Sequence, residues 1–115
     1  MKIISFKDLK PLSDEEILVV LKQLKKNLSV ILKTSPCDLY FLCIAFGREY
    51  LDSKKIFVNS RMPGVTGKIF PQLLEYKPKH SGYSWFDCTK EGNRKRMELL
   101  NLMIKDYTKK IRRAK

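Results

Sequence analysis

The chain has 115 residues, 43% of them hydrophobic, and carries 24 Lys/Arg against 12 Asp/Glu for a net charge of +12. That length fits one domain, and the apolar fraction with its long periodic stretches excludes a globally disordered chain. No apolar run reaches membrane-spanning length, and MKIISFKDLK lacks the apolar segment and cleavage pattern of a secretion signal, so a cytoplasmic location and no membrane partner are expected.

The charge is uneven. Residues 1–60 hold ten Lys/Arg and seven Asp/Glu, whereas residues 61–115 hold fourteen and five, so the second half carries +9 of the excess. A field of this sign attracts polyanions or acidic protein surfaces without choosing between them. Cys37, Cys43 and Cys88 are an odd number, which excludes a fully paired disulfide framework within one chain, and reduced buried thiols are the preferred reading.

Residues 1–12 read as a short extended arm or strand. Ser13 then has the features of a helix N-cap, with Glu16 as its capping-box partner. From Asp14 to Lys33, Ile17, Val20, Leu21, Leu24, Leu28, Ile31 and Leu32 share one face at helical spacing, with Lys22, Lys26 and Lys33 opposite. This predicts a surface helix of about five turns.

SPCDLYFLCIAFGREYL follows. Ser35 suits a cap, Pro36 the first helical position and Asp38 the first turn. Leu39 to Phe46 are apolar on every side, which predicts a helix in the middle of the domain. A buried strand is the competing reading, and the cap signals favour the helix. Residues 52–68, with Pro63, Gly64 and Gly67, read as irregular, Ile56 to Val58 being a short strand or a loop anchor. FPQLLEY reads as a short helix led by Pro71 and ended by Pro78.

Thr89 is a cap for a terminal helix in which Met97, Leu100, Met103, Ile104, Tyr107 and Ile111 form one stripe. Leu99 and Leu102 fall off it. Either a second element covers them, the preferred reading, or they face a partner. Residues 107–115 form a basic helix end open to fraying. The expected fold is mainly α: one compact domain over 1–115, of three or four helices around Leu39–Phe46, with a minor β-hairpin of residues 2–6 and 54–58 left open.

The chemistry is sparse. MPGVTGKIF superficially resembles a phosphate loop, yet Met62 stands where the first glycine belongs and Ile69 where the magnesium-binding hydroxyl belongs, so a flexible turn is the better reading. His80 is the one histidine and would suit a general base, with Asp87 or Cys88 brought near it. No nucleophile motif surrounds it, and a solvent-exposed loop histidine is preferred. Zinc-like ligand spacing is absent, and Glu49 with Asp52 would hold a metal only with help from elsewhere. No cofactor is expected, and an enzyme, such as a small nuclease or other hydrolase using His80, ranks third among the function classes.

Trp85 and Phe86 would serve as a stacking platform or, the preferred reading, as a packing plug before the last helix. Lys90 to Lys115 hold ten basic and three acidic residues. The terminal cations complement the helix dipole, whereas Arg94, Lys95 and Arg96 stand near its start, where anions are favoured. The partner-facing set is therefore Arg94, Arg96, Leu99 and Leu102 against an acidic protein surface. The alternative is sequence-independent DNA or RNA binding through Trp85, Lys95, Arg96, Lys105, Lys109 and Arg112. Oligomeric state stays open.

SPCDLYFLCIAFG, FPQLL, GYSWF and NRKRMELLNLMI together resemble, over roughly residues 35 to 104, small uncharacterised helical accessory proteins of bacteriophages. The resemblance implies a Cys-containing central helix, a Pro-led segment, an aromatic dipeptide and a final Arg-Leu-rich helix. It implies an inhibitor or modulator of a host protein and no catalytic residues, and it does not require the long basic end.

Overall fold

A computed structural model describes residues 1–31, 39–76 and 90–114. Strand β1 (Lys2–Ile3) and a 3-10 turn (Phe6–Asp8) precede helix α1 (Asp14–Ile31). Helix α2 (Leu39–Lys54), strand β2 (Ile56–Phe57), helix α3 (Met62–Ile69) and a 3-10 helix (Pro71–Tyr76) follow, and helix α4 (Lys90–Ala114) comes last. The fold is mainly α, as expected. The caps expected at Ser35 and Thr89, together with His80, Trp85, Phe86, Cys37 and Cys88, lie outside the described residues.

The capping box forms: the Glu16 N–H donates to Ser13 Oγ at 3.2 Å, and the Ser13 hydroxyl donates to the Glu16 carboxylate at 3.2 Å. One backbone donor that a helix start would leave unpaired, the Glu16 N–H, is thereby engaged, and the Glu16 carboxylate closes back on the Ser13 hydroxyl. Ile17, Val20, Leu21 and Leu24 are all buried, as the spacing demands. Asn27 Nδ2 donates to the Glu49 carboxylate at 3.3 Å and links α1 to α2.

In α2, Leu42, Cys43, Ala45, Phe46 and Leu51 are buried. The helix packs against both α1 and α3 and so occupies the middle of the domain, and it runs on through the stretch expected to be irregular as far as Lys54. It ends on Lys55, which adopts φ 54° and sends its N–H back to Asp52 O at 3.2 Å. This left-handed cap reverses the chain into β2, and a lysine there bears a steric cost that glycine avoids. Lys55→Gly is expected to stabilise the fold by about 1 kcal/mol, read as a higher urea midpoint at unchanged slope.

Two expectations about the following stretch are corrected. Residues 62–69 form a helix and not a flexible turn. Pro63 sits in the first turn, where its missing N–H costs nothing, and Val65, Thr66 and Ile69 are buried while Gly64 and Gly67 face out. Tertiary burial outweighs the poor propensity of two glycines. The contact is close: a Cβ built on Gly47 of α2 would stand 2.8 Å from Thr66 Oγ1, and the Thr66 hydroxyl donates to Cys43 O. The strand pair is also not a hairpin. β1 and β2 run parallel, with Lys2 opposite Ile56 and Ile3 opposite Phe57.

Three rings tie the far side together. Phe46 of α2 stacks tilted on Phe70 at 4.9 Å, and Phe70 meets Tyr107 of α4 edge-on at 5.5 Å. Tyr76 donates to Asp106 Oδ2 at 2.9 Å, and Leu12 N–H donates to Ile69 O at 2.9 Å. With these contacts and α1 alongside, α4 buries a wider arc than one stripe: Leu99 and Leu100 as well as Met103 and Tyr107.

Candidate functional site

Leu99 is 1% exposed and Leu102 packs half-buried against the core. The partner-facing role of Leu99 is therefore corrected: its side chain is spent inside the fold, and Leu102 offers only part of its surface. Arg94 stays at the surface. α4 begins at Lys90, which puts Arg94 in the second turn, past the strongest dipole field, and its guanidinium pairs with Glu98 one turn on. Lys95 and Arg96 lie in α4, but their side chains are not among those described.

Arg94, Glu98, Asn101, Lys105, Lys109 and Arg112 follow at three- and four-residue steps and are all exposed, so they line one outward face of α4. Beyond the Arg94–Glu98 pair this stripe is purely cationic over about 10 Å, from Lys105 to Arg112. It contains no apolar residue. It therefore has the makings of a phosphate track and lacks the apolar centre of a protein interface.

Beside it, Glu75, Tyr76, Asp106, Lys109, Lys110 and Arg113 surround an open cleft of about 330 Å³. The two carboxylates and the carbonyl end of α4 face the three cations, and Lys110 Nζ stands 4.3 Å above the Tyr107 ring. Burial pushes the Tyr107 phenol up to about 12, with the charges of Asp14, Glu75 and Asp106 adding to it. Burial also raises Tyr76, and its bond to Asp106 raises it further.

The second surface is the strand pair. In the parallel register Ile3 and Phe57 stand side by side on the outer face, 78% and 49% exposed, whereas Ile56 and Ile4 turn inward and Val58 is buried. Lys2 N–H donates to Lys55 O and Ile4 N–H to Phe57 O, each at 3.0 Å. By strand alternation the N–H and C=O of Ile3 point the other way, off the free edge of β1. Exposed Lys54 and Lys55 precede β2 in the chain, and exposed Lys2 lies on the opposite face of β1. A groove of about 350 Å³ adjoins β2, lined by Arg48, Leu51, Asp52, Phe57 and Met62 among others. The short strands at 2–3 and 56–57 were readable as an open alternative. Their parallel pairing, which leaves an apolar row outside, was not, because register depends on the path between them.

Among the described residues no group of three His, Cys, Asp or Glu side chains is placed to hold a metal ion, and no helix is long and apolar enough to cross a membrane. Compared with known proteins, the chain matches no protein-family model, no curated protein and no solved structure.

Proposed function

We propose that the chain is a small basic protein-interaction module that engages an acidic protein partner in the cytoplasm, in the manner of a phage-encoded modulator or inhibitor of a host protein. The observation that carries this reading is the Ile3–Phe57 row: exposed apolar side chains on an open-edged strand pair, with exposed Lys2, Lys54 and Lys55 next to them in the chain. Apolar surface within a charged rim is how a specific interface is built, and the rim selects an acidic partner. The test is affinity capture from a bacterial lysate with and without nuclease. One acidic protein kept at fixed stoichiometry after nuclease treatment is expected. An eluate emptied of protein by nuclease overturns the reading.

A second reading, non-specific DNA or RNA binding, is favoured by the Lys105–Lys109–Arg112 face. Its signature is a steep loss of affinity for duplex DNA with salt. Three neutralised phosphates correspond to a logarithmic slope of about −3, and replacing the three cations by glutamine removes it.

A further inference from the structure

We propose that the free edge of β1 is a strand-addition site, taking an extended partner segment in which apolar and acidic residues alternate. The inference deepens the protein-interaction reading and rests on it. A parallel sheet is normally covered on both faces and closed by further strands, yet this pair has two members and leaves Ile3 78% exposed. The Ile3 N–H and C=O point off the edge with no strand beyond them among the described residues, which is the main-chain pattern an incoming strand completes.

Side chains fix the kind of strand. A residue added beside Ile3 extends the Ile3–Phe57 row, so it gains from being apolar. The residue added beside Lys2 points to the opposite face, where Lys2 is exposed, so it gains from being acidic. A second copy pairing antiparallel about Ile3 would set Lys2 against Ile4 and leave the lysine charge unanswered, whereas an acidic segment pairs it. Nucleic acid has no amide ladder to add and would leave the row uncovered.

The test uses the full chain, isotopically labelled for amide spectroscopy. The probe is a capped peptide of four Val-Glu repeats, and a capped peptide of four Gly-Glu repeats carries the same charge without the apolar side chains. The Val-Glu probe is expected to shift the amides of Lys2, Ile3 and Phe57, to slow exchange at the Ile3 N–H by about tenfold, and to bind about tenfold tighter than Gly-Glu. Ile3→Pro deletes the outward N–H and leaves both bonds from β1 to β2, which come from Lys2 and Ile4, so it is expected to weaken the probe about tenfold with core amides unmoved. Methylating alternate amide nitrogens of the probe tests the same bonds with the protein intact, and an equal loss is expected.

Equal affinity for the two peptides, shifts confined to Lys105, Lys109 and Arg112, or an N-methylated probe that binds unchanged would each overturn strand addition. The parent reading fails separately. If wild type and Ile3→Pro capture the same acidic protein equally, the partner stands and the strand-addition mode falls. If wild type captures none, the parent reading falls.

Discussion

Gly47→Ala is expected to destabilise the protein by about 2–4 kcal/mol, although alanine is the better helix former by about 1 kcal/mol. Local preference and tertiary packing thus predict opposite signs, and the distances decide between them. The new Cβ would stand 2.8 Å from Thr66 Oγ1 and 3.4 Å from Met62 O, in a region where Thr66 is 1% exposed. Thr66 would yield only by giving up its bond to Cys43 O, which leaves a buried hydroxyl unpaired. Urea unfolding of wild type, Gly47→Ala, Thr66→Ala and the double variant measures this as a cycle. In the Thr66→Ala background the offending atom is gone, and the Gly47→Ala cost should shrink to near zero or change sign. A stabilised Gly47→Ala single variant would contradict the α2–α3 approach.

Alkaline pH is expected to destabilise the protein through two buried tyrosines. Tyr107 is 0% exposed and Tyr76 6%, and both phenols titrate higher in the fold than the ordinary value of 10.0. A raised folded value means that the native state holds its proton more tightly. The stabilisation is therefore fully present below pH 10 and is lost as pH climbs, at about 1.4 kcal/mol per pH unit for each tyrosine. Tyr107, at about 12, accounts for a loss of about 2 kcal/mol by pH 12, and Tyr76 adds a comparable slope. Together they remove a large part of a typical domain's stability of about 5–15 kcal/mol.

Tyr107→Phe isolates one half of this effect. The Tyr107 hydroxyl is buried with no hydrogen-bond partner among the described residues, so phenylalanine is expected to be neutral or stabilising by up to about 1 kcal/mol at pH 7. The variant should also lose stability about half as steeply between pH 10 and 12. Thermal unfolding across that range, followed by circular dichroism, checks both signs. An unchanged alkaline slope in Tyr107→Phe would show that the buried phenol does not control it.

Local periodicity made the long elements legible. The Ser13–Glu16 capping box, the Ile17–Leu24 face and the Leu100–Tyr107 stripe each depend on residues three or four apart on one helix, so their geometry is encoded in the spacing itself. For α2 the signals of Ser35, Pro36 and Asp38 favoured a helix over a buried strand, and Leu39–Lys54 is helical. The candidate surfaces were legible only in part. Lys105, Lys109 and Arg112 fall on one exposed face as their spacing requires, whereas for Leu99 a cover within the fold was preferred and a partner left open, because its neighbours on other elements do not appear along the chain.

By itself, then, the sequence determined that this is a mainly helical basic domain, where α1 and α4 turn their apolar faces, and that the second half carries most of the charge. Tertiary structure alone decided that MPGVTGKI is a helix, since burial of Val65, Thr66 and Ile69 against α2 outweighs the cost of two glycines. It also decided that Gly47 is a contact point, that Leu99 is core, and that Ile3 lies parallel to Phe57 with its amide turned outward. Each of these depends on which residues distant in the chain meet. Contacts of that kind follow from the packing of whole elements, which spacing along one element does not contain.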